Sequence, residues 1–274
     1  MPMLEALGRA LVSPFEVLIR QRGTIELFVR REIRGRYVNS VLGLAWAVVH
    51  PLALLALYTF VFSHVMQVRF TGDSAATNFP LYLFCGMLPW LAFSDGLARA
   101  SSVLMEQTAL IKKVVFPTEI LPASAVISAL VTELVGLVVL LPAVVVFAGG
   151  LGWSLLALPV IMVLQFLFTM GLAWFLACAG VAVRDLRHLL GVALTLWMFL
   201  TPIVYPAEMV PPRFRWVLAV NPLSYVVQAY RDVVLERRLP PAADVAVLAA
   251  ISVAVFAAGH AVFRYTKHVL ADLL

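Results

Sequence analysis

Apolar residues in this chain fall into long continuous runs separated by short polar segments, without the alternation of a membrane β-barrel strand. A helix needs about 20 apolar residues to cross roughly 30 Å of hydrocarbon. No formally charged residue lies between Tyr37 and Val68, which predicts a first span over about Leu42–Met66. The uncharged run Ser74–Ser94 predicts a second over about Leu81–Val103, with Asp95 and Arg99 near its far end. Between Glu133 and Arg184 lie 50 uncharged residues, too many for one crossing and right for two. Gly149, Gly150 and Gly152 mark the turn, so spans three and four cover about Leu121–Ala148 and Trp153–Val183. Spans five and six follow at about Leu189–Tyr205 and Val245–Phe263. The fold class is an all-α polytopic membrane protein with six transmembrane helices.

The connecting segments carry their own patterns. In Thr24–Val38, Ile25, Phe28, Val29, Ile33 and Tyr37 share one helical face, while Arg30, Arg31, Arg34 and Arg36 occupy the rest. This predicts an amphipathic helix in the cytoplasmic interface, apolar face in lipid, with the basic face free to dock a partner. The loop 104–119 is part basic and part apolar. Lys112 and Lys113 stand among Leu110, Ile111, Val114, Val115 and Phe116, a composition suited to a short helix laid against another protein. Pro117 would end it. In span five, Pro202 and Pro206 break the helix and free carbonyls that need partners. The long segment 207–235 that follows is apolar enough between Tyr225 and Leu235 to dip back into the outer interface as short re-entrant helices.

Composition agrees: 63% of the 274 residues are hydrophobic and 13% charged, against roughly 45–50% and about 25% in soluble domains. A soluble domain, a disordered chain and a disulfide scaffold are excluded. The net charge of +5 comes from 17 Arg and three Lys. Thirteen basic residues fall on the N-terminal side of the membrane and six on the other, which puts both termini in the cytoplasm. The basic excess is topogenic, and no nucleic-acid partner is expected. The organisation is then a cytoplasmic segment 1–41, a transmembrane domain 42–263 and a cytoplasmic tail 264–274. Cys85 and Cys178 sit within apolar runs and read as small buried hydrophobes. The first 20 residues hold Glu5, Arg9, Pro14, Glu16 and Arg20, unlike the apolar core of a cleaved signal.

Candidate chemistry is sparse. Tyr58 and Phe62 are four apart in span one, and Trp197, Phe199 and Tyr205 lie in span five. Sugars present CH faces that stack on aromatic rings, so these five residues are candidates to line a glycan path. Packing or interfacial anchoring accounts for such aromatics equally well. Asp95 and Arg99 suit a mutually satisfied pair. Glu133 falls about 18 Å into span three at 1.5 Å per residue and needs a proton or a partner. His50 and His64 have no ligand-spaced companions, so no metal is assigned. No catalytic motif is present. A P-loop needs Gly before and Ser/Thr after its lysine. Lys112, Lys113 and Lys267 all lack that setting, so ATP would have to be hydrolysed by another polypeptide.

Several segments in order resemble one family. Arg30–Tyr37, Ser40–Trp46 and His50-Pro51-Leu52 look like the approach to span one of type-2 ABC transporter permeases, specifically those exporting bacterial surface polysaccharides such as O-antigen, capsule and teichoic acid. Leu110–Pro117 is similar to that family's ATPase-contacting loop, and Arg184-Asp185-Leu186, Leu200–Pro206 and Asn221-Pro222-Leu223 continue the match. The resemblance implies a homodimer in the bacterial inner membrane, bound to two copies of a separate ATPase that carries ATP and Mg. Arg30, Arg31, Arg34, Leu110, Lys112, Lys113 and Phe116 would contact that ATPase. Spans one and five of both subunits would line a path for a lipid-linked polysaccharide, with 207–235 near its exit. A drug or other lipid as cargo, a secondary transporter or channel, and a membrane enzyme are the alternatives.

Overall fold

The computed structural model describes residues 15–37, 43–65, 78–113, 117–183 and 185–273. Among them the regular structure is helical, with no strand. In chain order the helices are α1 (Arg22–Tyr37), α2 (Trp46–Tyr58, continuing as a π-helical segment Thr59–Val65), α3 (Phe79–Glu106), α4 (Thr108–Lys113) and α5 (Ile120–Ala148). There follow α6 (Leu158–Ala182), α7 (Leu186–Leu200), α8 (Arg215–Val220), α9 (Pro222–Val234) and α10 (Ala242–Leu273). Among the described residues, four helical stretches are long and apolar enough to cross a membrane: Phe79–Glu106, Ile120–Ala148, Trp153–Ala182 and Ala242–Lys267. The expected first and fifth spans correspond to shorter apolar helices, Val48–Val61 and Leu186–Leu200.

Close backbone approach holds the long helices together. A Cβ on Gly171 of α6 would stand 2.3 Å from the Val255 carbonyl oxygen of α10, and one on Gly259 of α10 only 2.0 Å from that of Gly171. On Gly180 it would meet the Ser101 carbonyl oxygen of α3 at 1.8 Å. Lipid tails are as apolar as leucine, so membrane helices associate through such tight packing and through polar contacts. The turn after α5 runs through Gly149 (φ 80°) and Gly150 (φ 116°), backbone that glycine adopts without strain.

Two expectations change. The apolar face of α1 does not lie in lipid. Ile25 and Val29 are buried against Ile120 of α5, with Ile127 and Val131 alongside. A salt bridge and two hydrogen bonds from Arg36 to the neighbouring helices draw α1 onto the bundle. The fifth apolar helix stops at Leu200 and does not reach Tyr205, because Pro202 has no N–H with which to extend the ladder. The segment after it contains α9, whose Leu223, Val226, Val227, Val233 and Val234 are buried in protein.

Substituting Gly171→Val should lower the stability of the detergent-solubilised protein by about 2 kcal/mol or more, because backbone on the facing helix cannot yield. Gly191→Ala, where a Cβ meets nothing within 4 Å, should leave it unchanged. Thermal unfolding followed by size-exclusion chromatography distinguishes the two.

Candidate functional site

Two cavities meet at one charged wall. The first, about 810 Å³, lies between α2, α3, α5 and α7; Trp46, Leu54, Leu88 and Leu194 line it, together with Asp95 and Glu133. The second, about 720 Å³, is bounded by α1 and the adjoining parts of α3 and α5, and is rich in charge: Arg31, Glu32, Arg99, Glu106 and Arg187. Arg36, Asp95 and Ala98 belong to both.

At this wall Arg99 Nε donates to Asp95 Oδ1 (2.8 Å), four residues back on α3. The expected pair is therefore formed, and it is part of a larger cluster. From α1, Arg36 Nη2 stands 2.9 Å from Asp95 Oδ2 and donates to Ser128 Oγ (2.8 Å), while Nη1 donates to Thr132 Oγ1 (3.2 Å). Glu32 receives Arg99 at 3.4 Å and lies 3.8 Å from Arg36. Burial pushes the Glu32 carboxyl above its ordinary pKa, against the pull of Arg99 and Arg36.

Farther along α5, Glu133 is 3% exposed. Its carboxylate accepts from Gln165 Nε2 of α6 (2.8 Å) and from the hydroxyl of Tyr230 in α9. Tyr230 lies close to Gln165 Oε1 as well, at 3.0 Å. The sequence leaves open a proton, a partner or a relay for Glu133. The structure supplies partners on two helices.

Next to Tyr230, Arg231 is 2% exposed and donates to the carbonyls of Pro202 (2.6 Å) and Ile203 (2.8 Å), just past the end of α7. Its guanidinium carbon sits 3.5 Å from the centroid of the Tyr82 ring. Asn221 caps α9 through the Leu223 N–H (3.1 Å), accepts from Trp197 Nε1 (2.9 Å) and donates to Thr201 Oγ1 (2.9 Å). At the other end of α9, Ser154 donates to the Val233 carbonyl (2.8 Å) beside the α5–α6 turn. Thus α9 runs from the last turn of α7 to that turn.

Sequence patterns made prolines 202 and 206 visible as a break. They gave no sign that Arg36, Gln165, Tyr230 and Arg231 close the network, since each contact crosses at least 28 residues.

Of the candidate path residues, Trp197 is half-buried and turned toward Phe93 and Phe168, with ring centroids at 5.2 and 6.4 Å. Phe199 is 57% exposed. Tyr205 is half-buried and donates to the Phe199 carbonyl (2.8 Å). The side chains of Tyr58 and Phe62 lie outside the described residues. Among the candidate contacts, Arg30, Arg31, Arg34 and Lys112 are exposed and Leu110 is half-buried. Phe116 and the Lys113 side chain are outside the described residues.

Residues 24–235, which run from α1 through α9, match the family model described as ABC-2 type transporter. The chain belongs to the ABC-2 type transporter family. Its relatives include the O-antigen export system permease protein RfbA of Myxococcus xanthus, 33% identical over 93% of this chain and 96% of that one. A Klebsiella pneumoniae protein of the same name is 26% identical over 90% of this chain and 93% of its own length. Polysialic acid transport protein KpsM of Escherichia coli is 26% identical over 92% and 95%. In this ABC-2 chain the shared length takes in both polar clusters, the α7 break and the basic face of α1.

The clusters give separable expectations. Glu133→Leu removes the acceptor shared by Tyr230 and Gln165, leaving them Gln165 Oε1 and the Pro89 carbonyl, and should cost about 1–3 kcal/mol of stability, while Glu133→Gln should cost clearly less. At the charged wall, Asp95→Asn should cost about 1–2 kcal/mol, moderated by partial exposure. Combined with Arg36→Gln, the loss should be less than additive in a double-mutant cycle. A raised carboxyl pKa favours the folded state at low pH and withdraws that favour as pH rises through the raised value. Glu32→Gln should therefore be neutral or slightly stabilising at pH 7, read by thermal unfolding.

Proposed function

We propose that this chain is the transmembrane subunit of an ABC exporter that moves a lipid-linked surface polysaccharide, of O-antigen or capsular type, across the bacterial inner membrane. Hydrolysis of ATP, with its Mg, belongs to a separate ATPase subunit. The observation that carries the reading is the end-to-end match to an O-antigen export permease, 33% identical over 93% of the chain. A P-loop lysine is missing from the sequence, which supports a second chain as the engine.

The working unit is a homodimer of six-span subunits. α2 and α7 carry an exposed apolar strip including Leu52, Leu57, Leu189, Val192, Leu196 and Phe199, and this strip is the surface by which two copies meet. Tyr58, Phe62, Trp197, Phe199 and Tyr205 line the glycan path beside it. Both termini are cytoplasmic, by the distribution of arginine and lysine. α1 and the loop 104–119 then face the ATPase, and the exposed Arg30, Arg31, Arg34 and Lys112 suit an acidic docking partner. On this orientation α8 and α9 enter from the outer side as a re-entrant pair, and the buried face of α9 has the protein cover that backbone at that depth requires. A channel or secondary transporter would use Glu133 and Asp95 as coupling groups. Both carboxylates are already engaged by Tyr230, Gln165, Arg36 and Arg99, which favours the permease reading.

Co-purification with a cytoplasmic ABC ATPase from the same cells, followed by ATPase assay with lipid-linked glycans, tests the proposal. Stimulation by a glycan supports it; stimulation only by a drug or simple lipid reassigns the cargo, and absence of any ATPase partner overturns the reading. Lys112→Glu combined with Lys113→Glu should reduce the recovered ATPase at least tenfold while membrane insertion is unchanged. Alanine at each path aromatic should slow export, and native export by every such variant refutes the proposed lining.

A further inference from the structure

We propose that Arg231 is a positioning residue that latches the broken outer end of α7 to α9 and α3, and that a hydroxyl-rich chain entering there releases it by exchanging hydrogen bonds. The proline at position 202 ends the α7 ladder, so the Pro202 and Ile203 carbonyls have no helical donor ahead of them. Arg231 supplies both donors from one planar fork, at 2.6 and 2.8 Å. Gly86 of α3 makes room: a Cβ there would stand 2.8 Å from Arg231 Nη2.

The rest of α9 is fixed, so the latch has an anchored side, and what it holds is the short stretch past Thr201. Tyr230, one residue earlier, is tied to Glu133 and Gln165 of α5 and α6. Asp232, one residue later, is held by Arg238 at 2.7 Å. The α7 end is tied to α9 as far as Thr201, where Asn221 donates to Oγ1 (2.9 Å); past it, the side-chain hydrogen bonds to the buried Pro202 and Ile203 come from Arg231, and the chain then turns into exposed residues such as Glu208 and Met209.

The chemistry of the grip matters. Among the described residues no carboxylate lies within ion-pair distance of Arg231, and its Nε has no hydrogen-bond partner. The cation rests on carbonyl dipoles and the Tyr82 ring, acceptors that water or a sugar hydroxyl can replace one for one. A carboxylate partner would hold it through charge as well, and hydroxyls could not substitute. A dry path thus keeps the latch closed, and a hydroxylated chain satisfies both the guanidinium and the two freed carbonyls as it passes. This consequence rests on the exporter reading; the latch itself does not.

The test uses Ile203→Cys, a buried position, with Cys85→Ala and Cys178→Ala, co-expressed with the partner ATPase in whole cells. A membrane-impermeant thiol reagent is applied outside. With Arg231 present, labelling should be slow. Arg231→Met should raise the rate about tenfold, equivalent to about 1.4 kcal/mol, with Arg231→Lys intermediate because it keeps the charge without the fork. Gly86→Ala should raise it too while keeping every hydrogen-bonding group, and it carries the test if Arg231→Met does not reach the membrane. Equal labelling in all variants overturns the latch. Faster labelling in a complex that exports no glycan leaves the latch standing and removes the exporter reading.

Discussion

A polar group inside hydrocarbon can find a partner only within the protein itself. That constraint explains more of this structure than apolar burial does, because leucine gains little from leaving lipid for leucine. The long helices could slide or rotate against one another at small cost if only aliphatic contacts joined them. Glu133 removes that freedom. Its carboxylate requires Gln165 of α6 and Tyr230 of α9 at once, which fixes the register of three helices. The glycine contacts between α6 and α10 then set how near the backbones come.

The same rule organises the charged wall. Arg36 could have stayed in the interface with the other arginines of α1. It instead reaches Asp95, Ser128 and Thr132, so α1 belongs to the bundle and the apolar face of the helix follows it inward. Arg30, Arg31 and Arg34, a few residues away, stay exposed. One helix thus has a face committed to the core and a face available to a partner.

How much of this could be read from the residues depends on the range of the interaction. The four long apolar helices were legible because each is a local run, and the α5–α6 turn because Gly149 and Gly150 sit at the reversal. The Asp95–Arg99 pair was legible because four residues make one helical turn. The fate of the α1 face was not: amphipathicity says a face needs cover and is silent on whether lipid or Ile120 provides it. Arg231 was illegible for the same reason, since its acceptors lie 28 and 29 residues away across a proline break. The order of the motifs, by contrast, was enough to place the chain in its family, because ordered fragments carry information that no single one does.

Arg36 and Tyr230 also define where motion can travel. Both touch α5 within five residues of one another, Arg36 from α1 at Ser128 and Thr132 and Tyr230 from α9 at Glu133. A displacement of α1 must break contacts to Asp95, Ser128 and Thr132 together or carry α3 and α5 with it. Breaking them takes a partly buried guanidinium from three acceptors at once and leaves Asp95 with Arg99 alone, which costs more than a single neutral hydrogen bond. Rigid displacement is therefore the cheaper response, and through Glu133 it reaches Tyr230 and the base of α9. The α7 end is held from that same helix by groups that hydroxyls can replace, so it is the weakest tie on this route.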